Sequence, residues 1–208
     1  LRHSAELFST TGQILSELKI QPPDIKEIYI SSGPGSLTGL RIAFAAAKGW
    51  HLANGAKLVA VNTMDVLAQN ALQYIKDKNI NSEQACNAGL GIIIDAKRGQ
   101  FFTAVFKYIN GQWRRVSEDR MLTAAEFLSS YCDSGNPMWL LGEGLLYYQK
   151  LFRHSCVIIL PQKYWHARAS AVFAVGRKLA KAGQYSDPAG FVPHYLRRPQ
   201  AEENINRV

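Results

Sequence analysis

The residues best placed to do chemistry lie between positions 31 and 42. Ser31-Ser32-Gly33-Pro34-Gly35-Ser36-Leu37-Thr38-Gly39-Leu40-Arg41-Ile42 joins an alternating run, Glu27 to Ser31, to a helical pattern. A strand that feeds a glycine turn into a helix N-terminus aims unpaired backbone N–H groups at one point, which suits a phosphate. Gly33, Gly35, Ser36 and Thr38 are the candidate nucleotide or phosphate contacts on this reading. The segment is not a P-loop, because Gly39 is followed by Leu40 where a lysine must reach the phosphates. It is not G-x-G-x-x-G either, since Gly39 comes one residue too late after Gly33 and Gly35. The alternative is a tight turn that sets a helix closely on a sheet, with Ser36 and Thr38 serving as caps.

The other reactive side chains form no catalytic pattern. His3, His51, His154, His166 and His194 include no pair four residues apart on a helix, so no metal is expected. Cys86, Cys132 and Cys156 are odd in number and contain no C-x-x-C, which suggests neither a zinc ribbon nor a disulfide framework. Reduced thiols are the simplest reading. No G-x-S-x-G is present, and no catalytic residue is assigned. Tyr195-Leu196-Arg197-Arg198 could touch RNA through stacking and phosphate contacts, or simply be solvated.

Periodicity supplies the elements that must hold these residues. A helix over 4–19 is stopped by Pro22-Pro23. A strand at 27–31, a helix over 36–53 ended by Asn54-Gly55, a strand at 57–61 and a helix over 63–74 follow. A polar join over 76–89 leads to strands at 90–94, 101–109 and 112–118, the last two flanking the hairpin signal Asn110-Gly111. Thr123-Ala124-Ala125-Glu126 is a capping box that opens a helix to about 131. A strand at 138–141, a helix over 145–152, a strand at 156–160 and a helix over 167–182 close the series.

The second half therefore reads β-β-β-α-β-α-β-α, and the first reads α-β-α-β-α, the same order without three opening strands. A three-strand meander followed by alternating strands and helices is the ribonuclease H-like unit. Two in tandem make the α/β actin-like ATPase fold, here with a first lobe lacking its opening strands. The expected division is 1–88 for the first lobe, 89–190 for the second and 191–208 for a C-terminal tail. The mismatch, with a start at Leu1, leads to the expectation of about 25–30 further N-terminal residues in three strands.

The helix over 36–53 has apolar residues on two faces. Leu37, Leu40, Phe44 and Ala47 form one stripe that can pack on the sheet. Ile42, Ala46, Gly49 and Ala53 form another, small enough to let a further helix approach. The first helix can add Leu7, Thr11, Ile14 and Leu18 beside it. These eight residues are the expected partner-binding surface, open to a related protein or to a second copy.

Composition sets wide bounds. The net charge of +8 favours RNA, phosphates or an acidic partner, or only a soluble basic surface. No apolar run approaches the ~20 residues a membrane span needs, and a cytoplasmic protein is expected.

Four segments carry a family resemblance. The 31–42 segment resembles the GPGSFTGLRIG signature of the TsaB (YeaZ) family within the actin-like ATPase (ASKHA) superfamily. Ile94-Asp95-Ala96-Lys97-Arg98-Gly99-Gln100-Phe101, Leu141-Gly142-Glu143-Gly144 and Pro193-His194-Tyr195-Leu196-Arg197 resemble further family segments in the same order. Lys97 stands where Arg is usual and Gln100 where Glu is usual, and the family's opening Asp-Thr-Ser strand has no counterpart. In superfamily ATPases an acidic residue at the position of Asp95 faces phosphates and a divalent cation; here it could equally bond its own turn.

The resemblance implies a non-catalytic partner subunit in tRNA N6-threonylcarbamoyladenosine synthesis. It would support a TsaD-type catalytic subunit as a heterodimer, with a TsaE-type ATPase associated, a homodimer when the partner is absent, and any tRNA contact indirect. No cofactor of its own is implied, with ATP or ADP possible at the level of the complex. The alternatives are an actin-like enzyme with weak ATPase or kinase activity and, more remotely, a glycoprotease-like metallopeptidase, which the histidine spacing disfavours.

Overall fold

The computed structural model describes residues 2–132 and 135–196. The first lobe opens with helix α1 (Arg2–Glu17), followed by strand β1 (Glu27–Gly33), helix α2 (Leu37–Asn54), strand β2 (Lys57–Asn62) and helix α3 (Thr63–Asp77). β1 and β2 pair in parallel as a two-stranded sheet. Helix ends match their local chemistry. Ser36 Oγ accepts from Gly39 N–H at 3.4 Å, and Gly55 stops α2 in a left-handed conformation at φ 72°. Asn62 caps α3 by accepting from Met64 N–H at 2.7 Å.

The join predicted over 76–89 contains a short helix, α4 (Ser82–Cys86), capped by Asn81. The second lobe then runs β3 (Gly89–Asp95), β4 (Gln100–Ile109), β5 (Gln112–Arg115) and β6 (Arg120–Thr123). Helix α5 (Ala124–Tyr131), β7 (Met138–Leu141), α6 (Leu145–Tyr148), β8 (Val157–Ile159) and α7 (Ala169–Lys181) complete it. The hairpin at Asn110-Gly111 has both residues at positive φ, 51° and 77°, as a two-residue turn of this kind requires. The strand expected over 112–118 ends at Arg115, where Ser117 Oγ accepts from Val105 N–H at 2.8 Å, and a further strand that was not expected, β6, follows it. β6 then pairs with the other end of β4.

The second sheet has the order β5-β4-β3-β7-β8, antiparallel across the meander and parallel beyond it, with β6 on β4. This is the ribonuclease H-like arrangement, and two related lobes in one chain are the actin-like fold. The meander that opens the second sheet has no counterpart in the first among the described residues.

Two elements cross the expected boundaries. α7 packs its stripe Ala171, Val172, Val175, Leu179 and Ala180 on Val59 and Val61 of the first sheet. Gly176 permits this approach, because a Cβ there would stand 2.5 Å from the Tyr29 ring. Past Gly183, Phe191 stacks on Phe44 of α2 at 4.4 Å and His194 N–H donates to Ser32 C=O at 2.7 Å. In the other direction α3 gives Met64, Leu67, Ala68, Ala71 and Ile75 to the core of the second sheet. The lobes thus divide by strands but share their helices.

Candidate functional site

The glycine loop is held from three sides. Thr63, the first residue of α3, accepts from Gly33 N–H at 3.1 Å through its Oγ1, which also bonds Ser31 Oγ at 2.7 Å. Ser32 Oγ donates to Val61 C=O at 3.2 Å. Gly33 sits at φ 111°, and a Cβ would lie 2.7 Å from His194 C=O, so no other residue fits. The loop turns the N-terminus of α2 toward the second lobe.

Facing it are the β3–β4 loop and the β7–α6 turn. Gly142, at φ 129°, brings that turn onto β3, where a Cβ would meet Ile93 C=O at 2.1 Å. Gly144 N–H donates to the same carbonyl at 3.0 Å. Between the lobes lies a cleft of about 330 Å³ beside Thr63, Leu67 and Trp165, and of about 610 Å³ beside Asp95, Lys97, Tyr147 and His194. Pro34, Gly35, Ser36, Leu40, Glu143 and His166 line both parts. Asn70, buried in α3, holds the back wall by donating to Tyr164 C=O and His166 C=O, each at 2.8 Å.

The candidate phosphate contacts separate. Gly35 and Ser36 line the cleft, whereas Gly33 is buried against the tail and Thr38 is exposed outside the lining. Asp95 bonds its own turn. Its carboxylate accepts from Lys97 N–H at 2.7 Å and pairs with Lys97 Nζ at 2.7 Å, which raises the lysine's pKa. The cleft therefore combines a helix N-terminus with two acidic residues, Asp95, ion-paired with Lys97, and Glu143. His166 and His194 both line it, but among the described residues no group of three or more metal-ligating side chains gathers there.

One polar cluster spans the lobes that the sequence did not single out. Arg115, at the end of β5, donates to Asp65 of α3 at 2.9 Å and also to Asp119. Asp119 further accepts from Asn62 Nδ2 at 2.6 Å, and His194 Nε2 stands 3.6 Å away. Burial raises the Asp65 pKa against the opposing pull of Arg115. Loops and a tail meet here, so sequence spacing carries no signal of it.

The expected partner-binding residues lie on a separate surface. Leu40, Phe44 and Ala47 of α2 are buried as expected, while Leu37 is exposed. On the other stripe Ile42 and Ala46 are half-buried, and Gly49 and Ala53 are exposed. On α1, Leu7 and Ile14 are exposed and Thr11 is half-buried; Leu18, exposed, lies in the turn just past the helix. Between the two helices runs an apolar groove of about 260 Å³, lined by Leu7, Phe8, Leu15, Ile28, Ala46 and Trp50 among others. Of the C-terminal motif, Tyr195 and Leu196 line the cleft, and Arg197 and Arg198 lie outside the described residues. Among the described residues no helix is long and apolar enough to cross a membrane.

Two ribonuclease H-like lobes around a glycine-loop cleft define an α/β protein of the actin-like ATPase fold. The solved structures agree on the fold: YeaZ from Pseudomonas aeruginosa superposes with a TM-score of 0.74 at 19% identity, covering 93% of this chain and 84% of that one. A second Pseudomonas aeruginosa structure, of a protein with similarity to peptidase YEAZ, gives 0.73 at 19% identity over 94% and 84%. The model of the family described as "TsaD: tRNA N6-adenosine threonylcarbamoyltransferase" matches residues 1–205, and the chain belongs to that family, on its TsaB (YeaZ) branch. The tRNA threonylcarbamoyladenosine biosynthesis protein TsaB of Bacillus subtilis (strain 168) is 26% identical over 203 residues, 96% of this chain and 82% of the relative. The protein of the same description from Buchnera aphidicola subsp. Schizaphis graminum (strain Sg) is 30% identical over 89 residues, 43% of this chain and 41% of the relative.

Proposed function

We propose that this chain is the non-catalytic partner subunit of a tRNA N6-threonylcarbamoyladenosine modification complex, and that it docks a TsaD-type catalytic subunit on α1 and α2. The observation that carries the docking is the second apolar face of α2. One face is buried on the sheet; of the second stripe Ala46 lines the groove, joined from α2 by Ala43, Ala47 and Trp50, while Gly49 and Ala53 are exposed beside it, and the far wall, α1, is exposed along most of its length. A helix apolar on two faces needs two packing partners. Two helices from a related subunit would complete a four-helix bundle with α1 and α2. The names of the relatives support the pathway. The pairing of Asp95 with Lys97 supports a structural use of the turn that in superfamily ATPases faces phosphate.

On this reading the complex works in the cytoplasm beside its tRNA, a TsaE-type ATPase joins it, and ATP or ADP is taken up by the assembly. Without its partner the same face pairs with a second copy. Reconstitution tests the proposal. Threonylcarbamoyl transfer to tRNA is expected when the chain and the TsaD-type subunit are combined, and none from the chain alone. Robust modification by the chain alone would overturn it. The cleft beside the N-terminus of α2 favours one alternative, an intrinsic ATPase. Equal ATP hydrolysis by the chain alone and by the assembly would support that alternative.

A further inference from the structure

Three soft donors converge in the second lobe, outside both the cleft and the groove. Cys132 caps the C-terminus of α5 and is 2% exposed. His154 and Cys156 lie in the turn that leads into β8. Their ligand atoms all lie within 4.8 Å of one another. Cys156 Sγ stands 3.2 Å from His154 Nδ1, and its S–H donates to Cys132 C=O at 3.6 Å.

These spacings are close to those of a tetrahedral metal site. Zinc–sulfur bonds of ~2.3 Å and zinc–nitrogen bonds of ~2.0–2.1 Å place neighbouring ligand atoms ~3.5–3.8 Å apart. A shift of about 1 Å or less would bring the three donors onto one ion. The backbone on both sides is already fixed. Cys132 N–H donates to Leu128 C=O at 2.9 Å, Met138 N–H donates to Cys156 C=O at 2.8 Å, and Val157 N–H donates to His154 C=O at 3.1 Å. Burial falls from Cys132 to half-buried Cys156 to exposed His154, which leaves an entry path from solvent.

We propose that Cys132, His154 and Cys156 form a binding site for zinc or a similar thiophilic ion, with a fourth position taken by water or an added ligand. Two thiolates and an imidazole select zinc-like ions over magnesium or calcium, which prefer oxygen. Each thiol must give up its proton to bind, and the two thiolates then balance the charge of a divalent ion. The bound ion would tie the end of α5 to the start of β8. The sequence hid the site because no two of its ligands share a helix, and because His154-x-Cys156 is brought to Cys132 only by sheet pairing.

The test is a cobalt titration of the full chain, reduced and stripped of metal by a chelator. The expected result is one equivalent of Co²⁺ giving the visible bands of a tetrahedral ion and a thiolate-to-cobalt band in the near ultraviolet, both bleached by Zn²⁺. Cys156→Ser and His154→Ala, at the less buried positions, should each weaken binding by more than the ~10–100-fold cost of losing an outer partner of a ligand. Cys86→Ser, at an exposed cysteine apart from the cluster, should leave the titration unchanged. Absence of the thiolate band, a Cys156→Ser chain that binds Co²⁺ with wild-type affinity and band intensity, or loss of the band in Cys86→Ser would overturn the proposal.

Discussion

The second sheet has six strands and buries Phe101, Phe106, Phe127 and Phe152 beneath its helices, whereas the first has two strands and leaves Leu7, Phe8, Ile14 and Leu18 in solvent. The helices reinforce the contrast. α3 leaves the first lobe to complete the core of the second, and the first lobe borrows α7 and Phe191 in return. One lobe therefore has the packing of a finished domain, and the other keeps an apolar face uncovered. Exposed apolar surface of this kind is what the proposed docking requires.

The largest effect expected from this contrast is in the second core. Phe101 is fully buried and stacks edge-on against Tyr148 and Phe152 at 5.4 and 5.0 Å. Phe101→Ala should destabilise the chain by about 3–5 kcal/mol in urea unfolding. A loss below about 1 kcal/mol would mean the second lobe is not the stable half.

Arg115→Ala should follow at about 2 kcal/mol, because it strands the Asp65 and Asp119 carboxylates between the lobes. If the lobes are coupled through this cluster, thermal unfolding of the variant should also become less cooperative.

Acid sensitivity sharpens the comparison at the α3 end. Asp77 accepts from Tyr164 Oη at 2.5 Å, from Gln73 at 2.7 Å and from Lys163 at 3.0 Å, and these bonds, Tyr164 foremost, hold its pKa well below the usual carboxylate range. The ionised form is the one the fold favours. Its contribution is thus complete above the unfolded carboxylate value near ~4 and is lost as pH falls from there through the lowered folded value. Asp77→Asn should be less stable at neutral pH and should show a shallower loss over that acid range.

The smallest effect belongs to α1. Ile14 is 49% exposed, so Ile14→Ser should change the stability of the isolated chain by no more than ~0.5 kcal/mol. A larger loss would show that α1 is packed within the lobe rather than held out for a partner.

What the sequence revealed was mostly local. Ser36, Gly55 and Thr123 cap their helices as read, and the stripe of Leu40, Phe44 and Ala47 found the sheet. The missed features depend on distant contacts. α7 carries an apolar stripe that would fit either sheet, and order alone placed it in the second lobe. Gly176 in its interior was the available signal, since a mid-helix glycine costs about 1 kcal/mol and marks a close approach, here of Tyr29. β6 was not expected, because its four residues, Arg120–Thr123, are too short to show a period and run straight into the capping box of α5. The Arg115 cluster gathers residues from α3, β5, a loop and the tail, and no spacing rule anticipates such a meeting.

The central claim is that the uncovered face of α2 is held for another subunit. Ala46 lines the groove and is half-buried in the isolated chain. An arginine there can reach solvent in the free protein, but in the complex it becomes a buried charge without a partner, a change that costs several kcal/mol. The direct measurement is co-purification of the TsaD-type subunit with wild type and with Ala46→Arg, alongside thermal unfolding of each chain alone. The account predicts that Ala46→Arg stays folded and loses the partner. A folded Ala46→Arg chain that binds the partner as wild type does would contradict it.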